Sequence, residues 1–251
     1  MVTIGGLYMI KNIWNRAGDC FYECFGKYFS LLLIFLILLF VFRPYDRGGF
    51  YTAFWQLALT GAFISSIFNV KHTKTMTCII IAFGVPALAC NWLMLIYQMW
   101  IFTMLFYLLT FLFIMTCAGS IISKVLLNAK VTMETLRGVV CVYFMIAFGF
   151  AFLFVMIEYV SPNSFYLNEE ARSFFAHTHI LSEMMYFSFV TLLSIGYGTI
   201  DAAKGAAQTA TIIEGIIGQF YVAILVARLI GVYSFYAHKQ DKKPKELFPD
   251  K

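Results

Sequence analysis

The chain has 251 residues, 61% of them hydrophobic and only 12% charged, where a soluble domain carries roughly a quarter charged residues. That balance describes a membrane protein: each crossing of about 30 Å of hydrocarbon takes roughly 20 apolar residues, so several crossings leave no room for a large soluble domain. The formal net charge of +5 does not point to nucleic acid, because the basic residues are dispersed between apolar runs and membrane topology accounts for them.

Residues 1–27, with "KNIWNRAGDCFYECFGK", mix aromatic and charged side chains as an interfacial segment does. Six apolar spans follow, at about 28–42, 50–70, 77–97, 100–123, 138–160 and 209–234. The first, "YFSLLLIFLILLFVF", is short but can draw on Phe21, Phe25 and tilt. It lacks a small-residue cleavage motif and runs into Arg43-Pro44, so it reads as a retained anchor. Of the six cysteines, Cys78, Cys90, Cys117 and Cys141 sit inside apolar runs, and neither they nor Cys20 and Cys24 form a CxxC pair. They read as small packing residues, not as metal ligands or disulfides.

With a cytoplasmic N-terminus, thirteen of the 18 Lys and Arg residues fall on the cytoplasmic side and only Arg43, Arg47, Arg172 and Lys204 outside. Arg228, low in the last span, can snorkel inward. The bias predicts six spans with both termini cytoplasmic. In the fourth span, Met99 to Ser123 carries no Arg or Lys and Lys124 only marks its end. Because each gating charge supplies only about 2.3 kcal/mol per 100 mV, strong voltage sensing is not expected. Residues 28–130 therefore read as a four-helix scaffold, 131–234 as a second unit and 235–251 as a short solvated tail with a basic cluster, "HKQDKKPKE", and no attached ligand-binding domain.

The connection between the fifth and sixth spans, roughly 161–208, is too long for a hairpin. It holds an apolar segment of about fourteen residues, Ile180 to Leu193, "ILSEMMYFSFVTLL", enough for half a crossing and predicted as a re-entrant helix. "TLLSIGYGTI" follows from Thr191. Irregular backbone at membrane depth is tolerated only where it is buried in protein or lines a wet path. Gly196 and Gly198, alternating with Ile195 and Tyr197, can take positive φ without steric penalty, which turns successive carbonyls toward one axis. Ser194 adds a hydroxyl to that row. Several copies meeting on an axis would stack these oxygens into rings able to replace the water around a monovalent cation.

A half-helix, then Thr191-x-x-Ser194-Ile195-Gly196-Tyr197-Gly198, then a final span resembles the pore of the potassium channels, whose filter is written T-x-x-T-V-G-Y-G-D. "TLRGVVCVYFMIAFGFAFLFVMIEYVSPNSF", "YFSFVTLLSIGYG" and "EGIIGQFYVAILVARLIG" are similar to the small bacterial potassium channel family, over about residues 135–233. The resemblance implies an all-α homotetramer in the lipid bilayer of the cell membrane, the inner membrane of a bacterium. Each subunit would have six transmembrane helices with a re-entrant pore helix and filter between the fifth and sixth. K+ is the permeant ion, with no cofactor and no nucleic-acid partner. It implies ion binding at Ser194, Ile195, Gly196, Tyr197 and Gly198, and filter support from Tyr186, Phe187, Thr191, Thr199 and Glu214. Gly215 and Gly218 fall where the inner helix of relatives bends, with close helix contact as the other reading of Gly218.

Four positions depart from the family pattern. Ser194 replaces Thr, Ile195 replaces Val, Thr199 replaces Asp, and Val190 puts no carboxylate behind the filter. They keep a weakly selective Na+/K+ channel, and a non-conducting sensor or scaffold, as alternatives. An enzyme is not expected, since no carboxylate pair, HExxH or Ser/His constellation shares one membrane depth. Glu158 sits at the end of the fifth span; Glu169, Glu170, His177 and His179 read as a solvated loop, the histidines lacking a third metal ligand.

Overall fold

The computed structural model describes residues 28–42, 49–69, 74–97, 99–127, 133–167 and 180–241. The 1–27 segment with Cys20 and Cys24, the loop residues Glu169, Glu170, His177 and His179, and the basic tail after Asp241 lie outside the described residues. The helices are α1 (Tyr28–Val41), α2 (Gly49–Asn69), α3 (Lys74–Tyr97), α4 (Trp100–Leu127), α5 (Met133–Val160), α6 (Ile180–Leu192) and α7 (Gly205–Asp241). Strands β1 (Phe165–Leu167) and β2 (Ile200–Ala202) pair antiparallel, Phe165 opposite Ala202 and Leu167 opposite Ile200.

The described residues are mostly helical, and among them four helices, α3, α4, α5 and α7, are both long and apolar enough to cross a membrane. The other two expected spans fall short for different reasons. α1 is apolar apart from Ser30 but has 14 residues, about 21 Å of helix against about 30 Å of hydrocarbon. α2 has 21 residues but interrupts its apolar run with Thr52, Gln56, Thr60, Ser65 and Ser66. Gln56, Ser65 and Ser66 are buried, and Thr60 Oγ1 donates to the Gln56 carbonyl at 2.8 Å, so α2 turns polar groups inward.

α5 is the middle of the architecture: 67% of its apolar window is buried, against 17% for α7. α1, α4, α6 and α7 all pack on it, with α2 packed on α1 and α3 on α4. Aromatic side chains tie the layers. Phe63 of α2 and Phe113 of α4 stack with centroids 4.2 Å apart, and Phe106 and Tyr107 of α4 lie about Phe152 of α5. Phe189 of α6 meets Phe144 and Phe148 of α5 and also Phe40 of α1, at 4.6 Å. The first helix thus touches the half-length one directly. Such aromatic pairs contribute about 0.5–1.5 kcal/mol each beyond the area they bury.

Three of the four cysteines within the described helices are packing residues, whereas Cys78 of α3 is exposed. Cys90, Cys117 and Cys141 are buried, and the Cys141 thiol donates to the Phe29 carbonyl oxygen at 3.5 Å.

Candidate functional site

α6 is held by its own chain over most of its surface, with Ile180, Glu183, Tyr186, Val190 and Thr191 half-buried. Leu181, Met184, Met185, Phe187, Phe189 and Leu192 are buried, as are Ser182 and Ser188. A helix end leaves four carbonyls without intrahelical partners, and here all four are satisfied. The Phe189 carbonyl accepts from Leu193 N (3.0 Å), Val190 from Ile195 N (2.9 Å) and Thr191 from Ser194 N (2.9 Å). The Leu192 carbonyl accepts from the Tyr143 hydroxyl of α5 (3.0 Å). The Ser194 and Ile195 bonds together make a Schellman cap with Ser194 at the left-handed position that usually takes glycine.

From that cap the chain leaves the protein's interior. Residues 193–198 are all exposed, Tyr197 at 66%, and burial returns only at Ile200. Along this stretch φ is positive at Ser194 (56°), Gly196 (62°) and Gly198 (69°), but not at Ile195 or Tyr197. Alternation of this kind rotates successive peptide planes so that their carbonyls face one side. The carbonyl end of α6 leads into the same stretch and carries a partial charge of about −0.5. A cation is the ligand such an arrangement suits.

Both ends of the exposed stretch are anchored. Beyond it, β2 pairs with β1, and the Ala203 and Lys204 amides donate to the Ser164 carbonyl (2.8 and 3.4 Å). The turn carrying Ser164 is organised by Glu158, whose carboxylate accepts from the backbone amides of Asn163 (2.7 Å), Ser164 (2.9 Å) and Phe165 (3.0 Å). Lys204 Nζ donates to the Pro162 carbonyl and to Ser161 Oγ, closing the same corner.

On the opposite side α7 runs alongside α6 in a fixed register. The Ser188 hydroxyl reaches the Ala147 carbonyl of α5 (2.7 Å) and Oε1 of Glu214 on α7, and Glu214 is fully buried. One turn further along both helices, Gly218 lies against Leu192. A Cβ at Gly218 would stand 2.8 Å from the Leu192 carbonyl oxygen, so only glycine lets the backbones approach this closely. At the next step Gln219 Nε2 donates to Ser194 Oγ.

The expected site residues separate accordingly. Ser194 to Gly198 form one exposed row, with Thr191 at its root and Thr199 at its far end, where Thr199 Oγ1 lies 3.4 Å from the Tyr186 hydroxyl. Phe187 turns the other way, into the protein, 5.3 Å from both Phe154 and Phe165. Glu214 braces α6 through Ser188. Gly218 is a contact position inside a continuous α7, whereas a Cβ at Gly215 would meet nothing within 4 Å. Sequence reasoning missed Tyr143, Ser188 and Gln219 and the capping role of Glu158. The available signal was phase: Ser188 and Leu192, like Glu214 and Gly218, are four apart and share a helix face. Among the described residues no three His, Cys, Asp or Glu side chains gather as a metal site.

Residues 144–234, from within α5 through α6 and the exposed row into α7, match the family model described as an ion channel. No curated protein and no solved structure matched the chain. The part of this membrane protein that carries the buried half-helix and the glycine-bearing row is therefore similar to the ion channel family over those residues.

Proposed function

We propose that the protein is a potassium-selective channel in which four copies each contribute one filter strand, Ser194 to Gly198, around a shared axis. The observation that carries this reading is the alternation of positive φ at Ser194, Gly196 and Gly198 in a row that its own chain leaves exposed. Rings of carbonyls from such strands replace the hydration shell of a dehydrating K+. Conduction is passive: the ion sheds water at Tyr197 and Gly198, passes Gly196, Ile195 and Ser194, and is rehydrated in a cavity lined by α7. Ring closure needs several copies, and Ile195 and Tyr197, exposed in one chain, are then packed by the next.

In this reading α6 is the re-entrant pore helix, and six helices, α1 to α5 and α7, cross the cell membrane with both termini cytoplasmic. α1 reaches across by thinning the bilayer locally. Lys124 is the single charged residue of α4, so opening is not strongly voltage-driven. The test is K+ efflux from liposomes carrying the purified protein, with Gly196→Ala beside the wild type. Efflux from the wild type and its loss in the variant support the reading; folded, inserted wild type that passes no K+ removes it.

A further inference from the structure

Resting on that reading, Gln219 is where α7 hydrogen-bonds to the conducting row. Its side chain and that of Ser194 are both exposed within one chain, on the side where copies would meet, and Gln219 Nε2 donates to Ser194 Oγ at 2.5 Å. The reach of Gln219 is fixed by the preceding residue: Gly218 abuts the Leu192 carbonyl, which sets the depth of α7 against α6.

Ser194 needs such a partner. At φ 56° it occupies the left-handed region, where a β-branched threonine is strained. Serine is less strained there than threonine but lacks the methyl group that stiffens χ1 of threonine. Its hydroxyl would then move among rotamers at the innermost oxygen ring. A serine hydroxyl has one proton and two acceptor positions. With the Gln219 amide on one of those positions, the rotamer is held and the second stays available to a cation.

We propose that Gln219 is the positioning residue of the innermost cation site: its amide holds the Ser194 hydroxyl, and the pair sets discrimination between K+ and Na+. The test is the K+/Na+ permeability ratio, from reversal potentials of reconstituted protein with K+ on one side and Na+ on the other. Gln219→Leu is expected to lower the ratio about fivefold, the scale of one lost hydrogen bond. Ser194→Ala should lower it similarly, and the double variant should be no worse than either single. Gln219→Asn keeps an amide at the position but is one methylene too short, and is expected to fall with Gln219→Leu.

A wild-type ratio in Gln219→Leu, or in Gln219→Asn, overturns the proposal, the latter because cavity polarity and not the Ser194 contact would then be the cause. Additive losses in the double variant overturn it as well. Should the α7 variants fail to assemble, Ser194→Ala decides from the other side of the bond, since an unchanged ratio there leaves Gln219 nothing to position. Wild type that conducts no K+ removes the channel reading and this inference together, whereas conducting wild type with unaltered variants removes this inference alone.

Discussion

α6 and the six residues that follow it are neighbours in sequence and opposites in structure. The helix is mostly buried by its own chain, its carbonyl end fully satisfied by Leu193, Ser194, Ile195 and Tyr143. Residues 193–198 are exposed throughout, although they include Leu193, Ile195 and Tyr197. Non-helical backbone at membrane depth, left uncovered by its own chain, is tolerated only where other protein buries it or it lines a wet path. The difference teaches that one chain completes the support and not the row it supports: in the proposed channel, the row is one quarter of a structure.

The largest way to break this comparison is through the row. An added Cβ at Gly196 would meet nothing within 4 Å in the same chain, so Gly196→Ala acts through its φ of 62°. Forcing alanine there costs about 1–2 kcal/mol per strand, multiplied over four strands. K+ efflux is expected to drop at least about 100-fold by rate arithmetic, with assembly retained. Unchanged efflux would mean that the left-handed backbone is irrelevant to conduction.

The support should respond in stability first. Glu214→Ala removes the α7 partner of Ser188, and thermal unfolding in detergent is expected to report a loss of about 2 kcal/mol, in the range for a buried hydrogen-bonded group. Glu214→Gln retains a side-chain oxygen and should stay close to wild type. If the two variants unfold alike, the Ser188 contact is not what Glu214 contributes.

The two α7 glycines should move in opposite directions. Gly218→Ala drives a Cβ toward the Leu192 carbonyl, an overpacking expected to destabilise by about 1–3 kcal/mol. Gly215→Ala enters open space in a helix interior and is expected to stabilise by up to about 1 kcal/mol. Melting curves of the two variants decide it. Destabilisation by Gly215→Ala would sharpen the comparison instead, by placing that face of α7 against a neighbouring copy.

The smallest effect is expected at the far end of the row. Tyr186→Phe removes a hydroxyl that stands a long 3.4 Å from Thr199 Oγ1, so the K+/Na+ permeability ratio should change less than about twofold. A larger change, or faster current decay, would make Tyr186 a principal brace of the filter.

How much of this is legible in the sequence follows from where each signal resides. α6 is readable because an apolar run of about half a crossing ends at glycines, and it closes at Leu192, one residue before the expected end. The alternation of φ is readable for Gly196 and Gly198, since glycine announces it, and unreadable for Ser194, whose left-handed backbone comes from the helix cap. β1 and β2, three residues each, are too short to show a period of two. Ser188 and Glu214 are conspicuous as polar residues in apolar helices, but no local spacing pairs residues 26 apart. α2 shows the limit from the other side: its length suits a crossing, and its buried Gln56, Ser65 and Ser66 weaken the apolar signal that would announce one.

The most direct test of the central claim, that the exposed row is completed by copies of the same chain, is the native mass of the protein held in lipid nanodiscs. Four copies of the 28.7-kDa chain per particle, retained when the protein is diluted, is the predicted result. A particle holding a single stable chain would contradict it, because one row of carbonyls cannot close around an ion.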